Sequence, residues 1–182
     1  KPRLTAEDWI LAGFRSLSKT GPDGLKAEPL ARALTTTKGS FYWHFKDVAD
    51  FHDRMMAFWE DQATHAITRT MDKISDPVER LYALGTLAVS AEDKYGGDNA
   101  EAALRAWAQS HSRVAAIVHR IDAQRIAYVA DILAKLGLTN PDFARIIYAA
   151  YIGFGTLSAK DGADNRDAMS TLMAAILALR DA

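Results

Sequence analysis

The chain has 182 residues, 49% of them hydrophobic and 25% charged, with a net charge of −1, a composition ordinary for a globular protein large enough to bury a sizeable core. It contains no cysteine, which excludes disulfide frameworks, thiolate zinc sites and cysteine nucleophiles. Charged residues interrupt every apolar stretch well before the ~18 residues of a membrane span, so the expectation is a soluble cytoplasmic protein with no membrane partner.

Thr5 followed by Asp8 has the form of a capping box, and Ile10, Phe14 and Leu17 recur at helical spacing until Gly21, Pro22 and Gly24. A first helix is therefore predicted over about 5–19. A short helix follows over 27–34, with Pro29 tolerated in its first turn. Thr35, Thr36 and Thr37 suit a turn and a helix cap better than a helix interior, and a second short helix is predicted over 38–44. Two short helices joined by a tight turn form a helix-turn-helix arrangement.

Asp47 and Asp50 mark the next start, with an apolar stripe from Phe51, Met55, Phe58 and Trp59 through Gln62 and Ala66 toward Ile74. Asp76 and Pro77 open another helix bearing Leu81, Leu84 and Leu87, and Gly96 and Gly97 close the segment after it. The pattern resumes near Asp98 with Leu104 and Trp107 and breaks near 110–112. Val114, Ile117, Ile121, Tyr128, Ile132 and Leu136 then trace a long helix that ends at Gly137. Two final helices are predicted over 140–158 and 165–180. No segment alternates with period two, so the predicted fold is all-α: a three-helix helix-turn-helix head and a larger helical body, about nine helices in all.

Charge is distributed unevenly along this plan. Residues 1–46 carry eight Lys or Arg against four Asp or Glu, while the remainder carries 14 against 19. A basic head of +4 on an acidic body of −5 suggests that only the head meets a polyanion.

The run Leu30-Ala31-Arg32-Ala33-Leu34, followed by Thr37-Lys38-Gly39-Ser40-Phe41-Tyr42-Trp43-His44-Phe45-Lys46, resembles the helix-turn-helix signature of the tetracycline-repressor (TetR) family. The motif spans about 5–55. The resemblance implies a DNA-binding domain over 1–47 and a helical effector-binding and dimerisation domain over 48–182. Two positions depart from the family pattern: Thr35 stands where a turn glycine is usual, and Val48 where a lysine usually follows the helix cap.

The residue chemistry supports the DNA reading independently. A helix in the major groove presents its first residues to base edges, which makes Thr36, Thr37, Lys38 and Ser40 candidates for base or backbone hydrogen bonds. Gly39 costs helix propensity, a cost best understood if backbone approaches DNA closely. Tyr42, His44 and Lys46 have polar ends suited to phosphate oxygens, and Trp43 suits apolar contact with a base, while Phe41 and Phe45, four apart, belong to the core of the head.

For the body, Trp59, Gln62, Arg105, Trp107, Gln109, Tyr128, Tyr148, Tyr151 and Phe154 combine aromatic faces with polar tips, as ligand pockets do. The pocket itself is implied by the resemblance. Ile146, Ala149, Ala150 and Gly153, with Met169, Leu172, Met173 and Ile176, are candidates for a helical homodimer interface, with intrachain core as the other reading of the same residues.

Enzymatic constellations are weak. His44, His52, His65, His111 and His119 include no pair with the spacing of a helical zinc site, and no phosphate loop or serine elbow is present. No catalytic residue, metal or cofactor is expected. The sequence thus points to a repressor released from a double-stranded DNA operator by a small-molecule effector. The alternative is a helical ligand-binding or scaffold protein whose head has lost DNA binding, with Thr35 and Val48 as symptoms.

Overall fold

The computed structural model describes residues 3–90 and 100–181, and every regular element among them is helical. Ten α-helices occur in the order α1 (Ala6–Thr20), α2 (Ala27–Ala33), α3 (Lys38–Tyr42), α4 (Val48–Glu60), α5 (Ala66–Met71), α6 (Pro77–Val89), α7 (Ala100–Ala108), α8 (Ser112–Lys135), α9 (Pro141–Asp161) and α10 (Arg166–Leu177). A π turn over Asp61–His65 joins α4 to α5 in one continuous run, so the described residues form nine helical rods. The all-α expectation holds. The expected break at Gly96 and Gly97 and the resumption at Asp98 lie outside the described residues.

The helix starts follow the sequence signals. The Thr5 hydroxyl accepts from the Asp8 N–H at 3.2 Å while the Thr5 N–H donates to Asp8 Oδ2 at 2.7 Å, completing the capping box of α1. Asp47 caps α4 by accepting from the Asp50 N–H at 2.8 Å, and the Asp76 carboxylate accepts from the N–H groups of Val78 and Glu79 at the start of α6. The sequence expectation missed the π turn: it read one α-helical stripe from Phe51 toward Ile74. One wide turn inserted into the ladder shifts the phase of the residues after it. α3 is also shorter than expected and ends at Tyr42, with Trp43 as its cap.

Helices α2 and α8 end in the same way. At α2 the Thr36 N–H donates to the Ala31 carbonyl at 2.9 Å and the Thr35 N–H to the Arg32 carbonyl at 3.1 Å. At α8 the Leu138 N–H reaches the Leu133 carbonyl at 3.0 Å and the Gly137 N–H the Ala134 carbonyl at 3.0 Å. Both are Schellman motifs, which need a left-handed residue in the turn. Gly137 supplies it with φ +81°, whereas at α2 it is Thr35, with φ +53°.

Packing divides the chain into two compact units. One comprises 3–63 with 100–118, and the other 64–90 with 119–181. The first unit is centred on aromatic rings. Phe41 lies 5.4 Å from Trp9, 5.0 Å from Phe45 and 5.4 Å from Phe51, and all four side chains are essentially inaccessible to solvent. Phe41 and Phe45 therefore hold the core position that their four-residue spacing predicts.

The second unit has its own core, in which Leu81 of α6 meets Val129, Ile132 and Leu133 of α8, Ala144 and Ile147 of α9, and Met169, Met173 and Ile176 of α10. Gly85 lets α6 approach α10 closely. A Cβ there would stand 2.3 Å from the Met173 methyl group and 2.7 Å from its sulfur.

Candidate nucleic-acid interface

The turn and α3 present their side chains on two opposed faces. Phe41, with Phe45 one turn later, points into the aromatic core, so the residues between and before them face outward. Lys38, Gly39, Tyr42, Trp43 and Lys46 are exposed, and Thr36, Ser40 and His44 are half-buried. Trp43 has 79% of its surface accessible, and Tyr42 has 48%. An indole so exposed leaves a large apolar face in water, and the described chain supplies nothing to cover it.

Thr37 is exposed and its hydroxyl oxygen accepts from the Ser40 N–H at 3.3 Å, which fixes the start of α3. Gly39 is not required by packing: the nearest foreign atom to a Cβ built on it would be the Thr37 hydroxyl, at 3.7 Å. Its φ is not positive either. A glycine that weakens a short helix without any demand from within the chain leaves room for something outside it.

Thr35 keeps the turn that places α3 after α2, in the left-handed conformation a glycine would take more readily. Val48 is the first residue of α4 and is half-buried, behind the Asp47 cap. Lys46 donates its backbone N–H to Asp50 Oδ2 at 2.9 Å, and the residue is exposed. That bond is the chief reason the Asp50 carboxyl sits below its ordinary pKa, with Arg54 contributing further.

The candidate effector residues fall into two groups. In the first unit, Trp59 is fully buried, Gln62 donates to Asp61 at 3.1 Å, Arg105 pairs with Glu101 at 2.8 Å and Gln109 is exposed. Trp107 is 4% exposed and its ring lies 5.0 Å from His52 and 5.2 Å from His111.

In the second unit, Tyr148 and Tyr151 lie 5.6 Å apart; the Tyr148 hydroxyl donates to Asp122 at 2.7 Å and accepts from Arg125 at 3.3 Å. The Arg125 guanidinium also stands over the Tyr151 ring at 5.8 Å, while Phe154 packs against the core. Tyr128 is tied elsewhere. Its hydroxyl donates to Asp72 at 2.7 Å, and Asp72 also meets Arg80. Burial, then the Asp72 carboxylate, pushes the Tyr128 phenol pKa well above its ordinary value. Sequence reasoning connected neither Asp122 nor Arg125 with Tyr148, because that partner is more than 20 residues away on another helix.

The candidate dimer residues also separate. Met169, Met173 and Ile176 are buried in the core of their own unit, Leu172 packs at its margin, and Ala150 is half-buried. Within the chain, Met169, Met173, Ile176 and Leu172 thus serve the core of their own unit. Ile146, Ala149 and Gly153 remain on the outer side of α9, with Ile146 48% exposed and Leu157, one turn beyond Gly153, 53% exposed.

Among the described residues no group of three or more His, Cys, Asp or Glu is placed to hold a metal ion, and no helix is long and apolar enough to cross a membrane.

No protein-family model matches the sequence, and no curated protein matches it. Solved structures do match, over nearly the whole chain. A transcriptional regulator from Rhodococcus sp. Rha1 aligns with a TM-score of 0.74 at 14% identity, covering 96% of this chain and 95% of its own. A Rhodococcus sp. protein described as a TetR-family transcriptional regulator aligns with a TM-score of 0.72 at 22% identity, covering 94% and 96%. The fatty acid degradation regulator FadR from Bacillus halodurans aligns with a TM-score of 0.73 at 15% identity, covering 97% of each. The chain has the fold of these three proteins.

Proposed function

We propose that the chain is a sequence-specific DNA-binding transcriptional regulator of the TetR type, with residues 1–47 as its DNA-binding part and 48–182 as its effector-binding and dimerisation part. The observation that carries the reading is the outer face of α3, where Lys38, Gly39, Tyr42 and Trp43 are exposed opposite the buried Phe41 and Phe45. Lys38 is suited to a guanine edge and Trp43 to apolar contact with a thymine methyl group. Tyr42, His44 and Lys46 are suited to phosphates, fixing register, and Thr36, Thr37 and Ser40 supply further hydroxyls around the same surface. The resemblance in fold to regulators supports the same assignment.

The alternative, a helical protein with a degenerate head, rested on Thr35 and Val48. Thr35 holds the left-handed turn, which favours an intact motif.

Operators read by such heads are commonly two half-sites bound by a symmetric dimer. The exposed outer side of α9, with Ile146, Ala149 and Gly153, is our proposed contribution to that homodimer. The effector is a small molecule, and the aromatic and polar residues of the body are its candidate contacts. The Tyr148, Tyr151 and Arg125 group is favoured because its polar tips converge. Ligand binding releases the operator, which requires the effector to prefer the DNA-free conformation.

Salt dependence of duplex binding tests the core of the reading. Each phosphate neutralised should add about 0.9 to the fall of log affinity with log salt, and Lys38→Ala, if Lys38 reads a base as proposed, should weaken binding most at the preferred sequence. Duplex affinity indifferent to salt would contradict it.

A further inference from the structure

Helices α4, α7 and α8 meet through three rings. His52 on α4 is half-buried, and its Nε2 lies 3.3 Å from the carbonyl oxygen of Leu25, at the end of the 3-10 turn (Pro22–Leu25) that leads into α2. A carbonyl only accepts, so Nε2 carries the proton and any second proton must go to Nδ1. The other side of the contact is Trp107, whose ring meets His52 edge to face at 5.0 Å and His111 at 5.2 Å.

His111 stands at the start of the 24-residue helix α8. Its carbonyl accepts from the Ala115 N–H at 2.9 Å, and its ring Nδ1 accepts from the Val114 N–H at 3.4 Å. That second bond uses the lone pair a proton would take. His111 itself is exposed, so the buried part of the contact is His52 against Trp107.

We propose that the contact of His52 with Trp107 and the Leu25 carbonyl is a proton-sensitive clasp, holding α7 against the turn before α2 while the His52 imidazole is neutral and loosening when it becomes charged. Asp53 follows His52 on α4 and pairs with Arg113, from the first turn of α8, at 2.8 Å. Burial is the main force keeping the His52 ring neutral. The Leu25 carbonyl opposes it, His111 reinforces it and Asp53 opposes it more weakly, with a net fall in the His52 pKa.

The sign follows. An unfolded chain takes up the His52 proton at about pH 6.5, while the folded chain resists until lower pH, so stability is complete above that value and declines as pH falls through it.

The test is an NMR titration of the imidazole C–H signals, paired with thermal melts from about pH 7.5 to about pH 5.5, a range in which histidine titrates and ordinary carboxylates do not. Wild type is compared with His52→Gln, which can still donate to the Leu25 carbonyl. We expect His52 to titrate below its ordinary value. Wild-type Tm should drop by roughly 2–4 °C over the range, and the variant should lose less than half as much.

A His52 midpoint at or above about 6.5, a flat wild-type profile, or an equal drop in the variant would overturn the proposal. Should the variant fail to fold, the wild-type titration decides alone. No readout involves DNA, so the result is independent of the proposed function.

Discussion

Replacing Thr35 by glycine should stabilise the protein, although it deletes a side chain and adds backbone freedom. Thr35 occupies the left-handed position of the Schellman motif that ends α2, at φ +53°. An L residue in that region costs roughly 1–2 kcal/mol, and branching at Cβ puts threonine toward the upper end. Glycine removes this cost but gives back about 0.5–1 kcal/mol through the greater freedom of the unfolded chain. Thr35 is exposed, so little packing is lost.

The net gain is about 1 kcal/mol, equivalent to roughly 2–4 °C in Tm for a chain of this size. Scanning calorimetry of wild type, Thr35→Gly and Thr35→Asn should rank them in the order Gly, Asn, Thr, since asparagine tolerates the left-handed region better than threonine. The mirror experiment is Gly137→Thr. A Cβ on Gly137 meets nothing within 4 Å, so the loss reports the backbone alone and should be of similar size. A Thr35→Gly protein no more stable than wild type would refute the strain argument.

Other substitutions separate surface from core. Trp43→Ala should leave the denaturation midpoint within about 0.5 kcal/mol of wild type, because the indole is mostly exposed, whereas Phe41→Ala should cost about 3–5 kcal/mol by the same urea assay. Gly85→Val forces atoms into the space of the Met173 side chain and should cost about 1–3 kcal/mol, with Met173→Ala partly restoring stability in the double variant. Thr5 holds the Asp8 carboxyl below its ordinary pKa through its backbone and side-chain hydrogen bonds. The stability this contributes is present above about pH 3.9 and is lost as pH falls through the lower folded value. Thr5→Ala removes one of the two bonds, so carboxylate NMR titration should show Asp8 moving upward toward its ordinary value.

Most of the helical plan was legible because it is written in short-range chemistry. Thr5 with Asp8, Asp47 with Asp50 and Asp76 with Pro77 each fix a helix start within four residues. Phe41 and Phe45 announce their common face by spacing alone. The π turn at Asp61–His65 was not legible, since an extra residue in the ladder leaves the apolar pattern nearly helical.

Nor could spacing tell which side of α10 faces inward: Met169, Met173 and Ile176 share a stripe that would serve an interface or a core equally well, and their burial with Leu81, Ile132 and Ile147 is a matter of tertiary packing. Contacts between distant helices, such as Tyr148 with Asp122 and Trp107 with His52, were beyond periodicity for the same reason.

Helix α3 is proposed to read DNA. Selection from a randomised duplex library at two salt concentrations tests it most directly, with Lys38→Ala, Tyr42→Ala and Trp43→Ala run beside the wild type. Enrichment of a palindromic site, weakened by salt, is expected, with Tyr42→Ala reducing affinity for all sequences and Lys38→Ala and Trp43→Ala relaxing the preference at particular positions. Enrichment of no sequence at either salt concentration, or enrichment indifferent to all three substitutions, would contradict it.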